Sequence, residues 1–341
     1  MKIEKNYNLT KLNTFGIKAT AKFFTEINSE EELREVFNLP EFKNNQKLFL
    51  GGGSNVLFTK DFDGIVVLNK LKGIEIIEEN EKNVLIRSMS GVVWHDLVLF
   101  TVEKGLWGIE NLSFIPGSVG AAPMQNIGAY GAELKDVLVS VESYEIKTGN
   151  KRIFNAEECE LGYRDSIFKN GLKGEYFISA IVLALSKVEK KNIEYRVLQE
   201  HLEKNKIEVK NSKDISEAVM SIRKSKLPDP NVIGNAGSFF KNVFLSKEKD
   251  KEKIKELVFN YPHISYFDEG DFIKIPAAWL IEECGWKGKK VNQAGVHDKQ
   301  ALVLVNHGGA TGEEIKALSE EVITSVFEKF GLKLTPEVNL I

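Results

Sequence analysis

The sequence predicts a mixed α+β or α/β chain of two or three domains, on three observations. Strand-like and helix-like segments alternate along its 341 residues. The composition is ordinarily globular, 43% hydrophobic and 28% charged, at a length that exceeds one typical core. Two glycine-rich stretches, LFLGGGSNVLF and IPGSVGAAPMQNIGAYG, interrupt the strand pattern in neighbouring parts of the chain.

The elements follow in order. AKFFTEI reads as a strand, and SEEELREVFNLP as a helix with Ser29 and Glu32 at capping-box spacing. KLFL, NVLF and GIVVLN read as short strands around the first glycine run. From Leu71, GIEIIEE and NVLIRSMSG look like paired strands. WHDLVLFTVEKG follows as a helix with Val93, Leu97 and Phe100 on one face and Gly105 at its end. VLVSVESYEIKTG and EYFISAIVLALSKV are strands, the second long and apolar enough to be central. SKDISEAVMSIRKSK places Ile215, Val219 and Ile222 on one helix face, and Pro228 and Pro230 in KLPDPN stop it near a domain boundary. PAAWLIEECG and TGEEIKALSEEVITSVFEKFG are further helices. The latter has Thr311 and Glu314 at capping-box spacing, apolar Ile315, Leu318, Val322 and Val326, and Gly331 as its stop. KLTPEVNLI reads as a last strand.

Net charge is −3 and the pI is near 6.1, without the basic excess of a nucleic-acid or membrane-surface binder. An anionic ligand must therefore meet local donors. Cys159 and Cys284 lie far apart with no CxxC, the pattern of two thiols in a reducing compartment. The opening MKIEKNYNLTKLN has no signal-peptide core, and no segment approaches the ~20 apolar residues that span a bilayer. A cytoplasmic protein is expected, without a metal. A monomer is the simpler oligomeric expectation.

Gly51, Gly52, Gly53, Ser54 and Asn55 stand between two strand-like runs. Such glycines admit positive φ, and their successive N–H groups can form an anion-binding nest. A plain hairpin needs fewer glycines. A Rossmann fingerprint fits poorly, because Val56 occupies the third glycine position and strand rather than helix follows. In Ile115–Gly131, small residues would let a flat ligand lie on the main chain, and Gln125 and Asn126 could bond ring edges. A long loop inside a compact domain is more often functional than idle. Two such loops suggest one elongated cofactor with a diphosphate and a planar ring.

These stretches, followed by GYRDS, KLPDPNVIGNAGSFFKN and the terminal PEV, resemble the UDP-N-acetylenolpyruvoylglucosamine reductase (MurB) family from about Asn13 to Glu337. The resemblance implies an α+β architecture: a two-part FAD-binding fold of the vanillyl-alcohol-oxidase type plus a C-terminal α/β substrate-binding domain. The expected divisions are 1–70 and 71–218 for the two FAD-binding parts, with strand 332–341 returning to the second, and 219–331 for the substrate domain. FAD would be non-covalent, since neither glycine loop holds histidine or cysteine. It would contact Gly51, Gly52, Gly53, Ser54 and Asn55, then Ile115, Pro116, Gly117, Ser118, Gly120, Ala121 and Ala122, and Gln125, Asn126, Gly128, Ala129 and Tyr130.

On its own, Ser238 in GNAGSFFKN could be a nucleophile, a turn residue or a proton donor. The G-x-S-x-G elbow is absent, since Ala236 and Phe240 occupy the glycine positions. None of His95, His201, His263, His297 and His307 makes a motif with it. The resemblance selects the proton donor. It implies hydride transfer from reduced flavin N5 to the vinyl carbon of an enolpyruvyl ether on UDP-N-acetylglucosamine, yielding UDP-N-acetylmuramate for peptidoglycan. Ser238 would then protonate the α-carbon. Arg164 in GYRDS matches the family's catalytic arginine, whose planar fork suits a carboxylate; without the resemblance it reads first as a surface partner of Asp165. Glu337 matches the catalytic glutamate, and should carry or share a proton as enolate charge develops.

Lys226 and Asn242 match residues that meet the nucleotide diphosphate, and Lys274 is expected to join them, although solvation is the ordinary state of a lysine. Tyr195 fits a tyrosine that covers the sugar nucleotide in one subgroup. Many relatives carry arginine where this chain has Asn339. The reductant implied is NADPH, entering the substrate's cleft and leaving first, which predicts ping-pong kinetics. A sugar or alcohol oxidase of the same fold is the nearest alternative, but gives no reason for Lys226, Asn242 or the Arg164, Ser238 and Glu337 set. A non-catalytic nucleotide-sugar binder, the second alternative, leaves the three chemical residues unexplained.

Overall fold

A computed structural model describes residues 2–341 as two compact units. The first comprises the segment ending at Tyr7, Thr20–Gly53 and Phe62–Ser225, and the second Asn8–Ala19, Ser54–Asp61 and Lys226–Ile341. The partition differs from the expected one: the 70/71 division falls inside the first unit, and the later boundary lies at the end of a helix, not at 218.

In the first unit, Thr20–Ile27 and Gln46–Leu50 both run parallel to Phe62–Asn69 in a four-stranded sheet. Ile65, Val66 and Val67 are wholly buried, as a parallel strand covered on both faces requires. The helix Glu30–Asn38 covers one face with Leu33, Val36 and Phe37. Ser29 Oγ accepts the Glu32 N–H, but the Glu32 carboxylate accepts from Asn28 N instead of Ser29 N, so the box closes one residue early.

A second, antiparallel sheet runs in the order Lys151–Asn155, Leu138–Glu145, Tyr176–Ser186, Asn83–Met89, Ile74–Glu79. Tyr176–Ser186 is central, as its apolar run predicts. Within this sheet the Glu142 carboxylate accepts from Arg87 Nε at 2.6 Å and Nη2 at 2.9 Å, and pairs with Lys151 at 2.7 Å. Helix Trp94–Glu103 packs Leu97 and Val98 inward. Val93 is its N-cap and is 42% exposed, not part of the apolar face expected of it: the helix starts one residue later. Helices Arg196–Lys204 and Ser212–Lys226 build a third cluster around Trp107, with Ile215, Val219 and Ile222 inward as predicted.

The second unit pairs Gly234–Ser238, Val303–Asn306, Ala294–Val296 and Lys290–Val291 in an antiparallel sheet. Its long helix Gly312–Phe330 carries the full Thr311/Glu314 capping box and ends at left-handed Gly331. A Cβ on Gly312 would stand 1.8 Å from the Phe58 carbonyl, so only glycine fits where this helix crosses the chain. A three-stranded sheet of Val243–Ser246, Phe272–Ile275 and Phe267–Glu269 lies beside helix Ala277–Glu283 in sequence. The terminal strand shrinks to Asn339–Leu340 and pairs parallel with Val56–Leu57. It thus returns to the stretch after the glycine run, not to the 71–218 part. Among the described residues no helix is long and apolar enough to cross a membrane.

Candidate active site

In the first unit, the strand Gln46–Leu50 ends in a loop with no helix after it, and Gly53 has φ +61°. This loop meets the second glycine segment closely, Gly51 against the Ser118 side chain and Gly52 against the Gly117 backbone. A Cβ on Gly51 would stand 2.2 Å from Ser118 Oγ, and one on Gly52 would stand 3.2 Å from Gly117 Cα. The two stretches therefore form a cradle that ordinary side chains would fill. It suits a ligand that lies on main-chain amides. Ser54 and Asn55 belong to the second unit.

Ile115–Gly131 is not structureless. Gly117 O accepts from Trp94 N, Val119 N donates to Val92 O, and Gly120 N donates to Ser90 O, which ties the segment to the strand–helix junction. Short 3-10 turns at Val119–Ala121 and Pro123–Gln125 lead to a hairpin of Gly128–Ala129 with Ala132–Glu133. Its two turn residues, Tyr130 and Gly131, have φ +49° and +82°, the turn that tight hairpins favour. Two expectations change here. Ala122 is 1% exposed and sits in the hydrophobic core. The Asn126 side chain is also committed: Nδ2 donates to Glu133 Oε2 and to Gly162 O, and Oδ1 accepts from Lys135 N, all at 3.0 Å. It braces the loop from its left-handed position and has no amide hydrogen left for a ring edge.

Arg164 sits in the tight GYRDS turn at φ +52°, a strained region for a non-glycine residue. Its Nη2 donates to Gly128 O at 2.7 Å, which holds it against the hairpin base. Asp165 is not the fork's mate: its carboxylate accepts from Asn170 Nδ2 at 2.9 Å. Arg223, which the sequence reading missed, joins this site. Its guanidinium lies near enough to the Tyr130 hydroxyl for the two to shift each other's pKa. Burial lowers the pKa of Arg223, Tyr130 raises it, and the nearby charge of Arg164 lowers it further. Burial raises the Tyr130 phenol. The Tyr195 ring meets the Tyr130 ring edge-on at 5.5 Å. The segment carrying Tyr195 is tied down by asparagines. Asn111 Nδ2 donates to both Tyr130 O and Asn192 O at 2.8 Å, and Asn192 Nδ2 donates to Gly131 O at 3.0 Å. No motif marks Arg223; its one sequence signal is a cation beside the apolar stripe of its helix.

In the second unit, Ser238 ends its strand after left-handed Gly237, at an irregularity in the pairing with Val303–Asn306. Buried Phe239 and Phe240 clamp the chain just beyond it. Glu337 N donates to Phe239 O at 2.7 Å, and Lys241 N donates to Thr335 O at 2.9 Å. The chain end carrying Glu337 is thus stitched to the residue after Ser238. Asn339 Nδ2 donates to Asn55 O at 2.9 Å, while Asn55 Nδ2 reaches Glu337 O at 3.4 Å. This is what the residue in the usual arginine position does: it braces the turn at Asn55.

Two substrate-binding expectations meet other duties. Asn242 Oδ1 accepts from Ala277 N at 3.0 Å, the first amide of helix Ala277–Glu283. Lys274 is ion-paired with Glu269 and lies over the Phe267 ring, so its ammonium is engaged within its own sheet. Lys226 is exposed at the end of its helix.

Residues 21–152 match the family described as "FAD binding domain", and residues 229–341 match "UDP-N-acetylenolpyruvoylglucosamine reductase, C-terminal domain". Proteins named UDP-N-acetylenolpyruvoylglucosamine reductase align along the whole chain. The one from Flavobacterium johnsoniae is 48% identical over 100% of both chains, and that from Amoebophilus asiaticus 47% over 100% of both. The Bacteroides fragilis protein is 43% identical over 99% of this chain and 100% of its own. The crystal structure of the reductase from Thermus caldophilus superposes with a TM-score of 0.67 at 22% identity, covering 100% of this chain and 99% of its own, which shows a shared fold. The fold expected from the resemblance is the one these matches support: an FAD-binding domain followed by the family's C-terminal domain.

Proposed function

This chain belongs to the UDP-N-acetylenolpyruvoylglucosamine reductase family, and we propose that it reduces the enolpyruvyl ether of UDP-N-acetylglucosamine to UDP-N-acetylmuramate, with FAD as cofactor and NADPH as reductant. The observation that supports this best is the close approach of Gly51–Gly52 to Gly117–Ser118, which side chains on either glycine would block, in a chain matched end to end by named reductases. Gly51–Gly53 and Ile115–Gly120 would hold the cofactor through main-chain groups. Bound FAD supplies the hydride for the carbon–carbon double bond.

The remaining work falls to side chains. Arg164, fixed by its bond to Gly128 O, offers a planar cation to the substrate carboxylate and stabilises the charge that grows there. Ser238 Oγ–H gives its proton to the α-carbon, and the clamped phenylalanines after it hold the hydroxyl in place. Glu337, protonated as that charge develops, bonds the carboxylate without repelling it. Lys226, together with the amide of Asn242 and the ammonium of Lys274, meets the diphosphate; Lys274 must exchange Glu269 for the phosphate to do so. Tyr195 covers the sugar nucleotide.

The test is Ser238→Ala. Loss of a general acid slows a reaction by roughly 10²–10⁴-fold. The variant is expected to keep its FAD and its reduction by NADPH, while product formation falls by that factor. Near-normal turnover would remove Ser238 from the chemistry.

A further inference from the structure

The chemistry above uses no histidine, yet His95 occupies a structural position that reaches the site. It lies in the first turn of helix Trp94–Glu103, half-buried. Its Nδ1 accepts the main-chain N–H of Phe114 at 3.0 Å, and its ring meets the Phe114 ring edge-on, 5.7 Å between centroids. Phe114 stands immediately before the second glycine segment with φ +59°, a conformation that a bulky aromatic residue adopts only when its surroundings impose it. The carbonyl of Phe114 in turn accepts from Arg223 Nε at 3.2 Å. Arg223 in turn lies near the Tyr130 hydroxyl and close enough to Arg164 for the charges to interact. Hydrogen bonds therefore link His95, Phe114 and Arg223, and Arg223 lies beside Tyr130 in the hairpin that anchors Arg164.

We propose that His95 is a positioning residue: by accepting through Nδ1 it holds Phe114 in its strained conformation, and so orients Arg223 toward Tyr130 and Arg164. The proposal rests on the role given to Arg164 above. An accepting Nδ1 is unprotonated, so the device works only with neutral imidazole. The surroundings favour that state. Burial lowers the His95 pKa, Asp96 on its own helix raises it, and Lys224 and Arg223 on helix Ser212–Lys226 lower it again. Lys224 also lies over the Phe114 ring at 5.4 Å. Because the pKa is depressed below the ordinary histidine value of about 6.5, the hold is intact at neutral pH. It is lost as pH falls through the lowered value, when Nδ1–H would face the Phe114 N–H. An acid limb in activity follows.

The test compares full-length, FAD-loaded wild type with His95→Asn and His95→Ala. An asparagine Oδ1 takes the place of Nδ1 as acceptor and does not titrate. Measured are kcat/KM for the enolpyruvyl nucleotide from pH 5 to 8, FAD content by absorbance, and the imidazole ¹⁵N shifts of wild type, with His95 assigned by its absence from the asparagine variant. His95→Ala is expected to lose about tenfold in kcat/KM at neutral pH, the equivalent of one hydrogen bond, with FAD retained. His95→Asn should stay within about twofold of wild type and lack the acid limb. In wild type that limb should share its midpoint with the His95 titration. The proposal is overturned by an unaffected alanine variant, by an asparagine variant as impaired as alanine, or by an acid limb that persists in asparagine. A ¹⁵N spectrum showing Nδ1 protonated at neutral pH also overturns it, whether or not the enolpyruvyl nucleotide is the substrate. Wild type that binds FAD but reduces no enolpyruvyl nucleotide would instead refute the proposed function.

Discussion

Glu337 donates its main-chain N–H to the carbonyl of Phe239 at 2.7 Å, which joins the chain end to the residue that follows Ser238. The tie uses backbone only, so the side chain of Glu337 is not needed for it. Glu337→Gln keeps that tie and the size of the side chain, so the thermal midpoint should move little, within about 0.5 kcal/mol of stability. Its turnover should fall by about 10²-fold or more if the carboxyl handles a proton. Calorimetry beside steady-state kinetics checks both. Equal losses of stability and turnover would show that the side chain serves the fold.

The contact between Gly51 and Ser118 makes cofactor retention sensitive to a single methyl group. In Gly51→Ala the new Cβ meets Ser118 Oγ at 2.2 Å, and the hydroxyl must turn away or the loop must open. FAD affinity should drop by at least about tenfold, as expected when a built contact worth ~1.4 kcal/mol is lost. Adding Ser118→Ala should recover part of that loss, because the next atom, Ser118 Cβ, lies at 3.2 Å. Fluorescence titration of apo-protein with FAD measures this. Unchanged affinity in the single variant would mean that the cradle is not the FAD site.

Asn111 is 1% exposed and bridges two carbonyls, Tyr130 O and Asn192 O. Asn111→Ala strands both acceptors, at about 1–3 kcal/mol for each buried group left unsatisfied. The segment bearing Tyr195 should loosen, seen as faster proteolysis between residues 187 and 195. The KM for the sugar nucleotide should rise by roughly tenfold while FAD content stays constant. A changed FAD content with an unchanged KM would place the role of Asn111 in the cofactor loop.

The Glu142 cluster predicts a pH limb in stability. Hydrogen bonds from Arg87 lower the carboxyl, burial opposes them, and Lys151 adds to the lowering, for a pKa of about 2 against an ordinary 4.5. A carboxylate whose pKa is depressed on folding stabilises the protein above its unfolded value. That stability is lost as pH falls through the folded value. The window is thus from about 4.5 down to about 2, and the contribution is roughly 3 kcal/mol. Glu142→Gln should lower stability at pH 7 by a similar amount and flatten the acid limb inside that window. Urea denaturation at stepped pH tests it, and an unaltered limb would assign acid sensitivity elsewhere.

Much of this architecture is legible in local sequence. The capping box at Thr311 and Glu314, the stop at Gly331, the apolar run of Tyr176–Ser186 and the proline-terminated helix before KLPDPN each depend on residues within a few positions of one another. The glycine loops, too, suggest a backbone-lined ligand site by composition, and GYRDS, GNAGSFFKN and PEV point to the side chains proposed to react once the family is recognised.

What only the tertiary structure decided are the partners brought from far along the chain. The terminal strand could pair with any open edge, and hydrophobic pattern does not say which; the structure joins it to Val56–Leu57. Asn126 is a polar loop residue in sequence, yet its amide is consumed by Glu133, Gly162 and Lys135. Lys274 and Asn242 look available until Glu269 and Ala277 stand beside them. Arg223 and His95 carry no motif and gain their place only where helix Ser212–Lys226 meets Phe114. The reason is physical: capping, periodicity and turn chemistry act over a few residues, whereas a hydrogen-bonding group is spent or spared by whatever the folded chain places within about 3 Å of it.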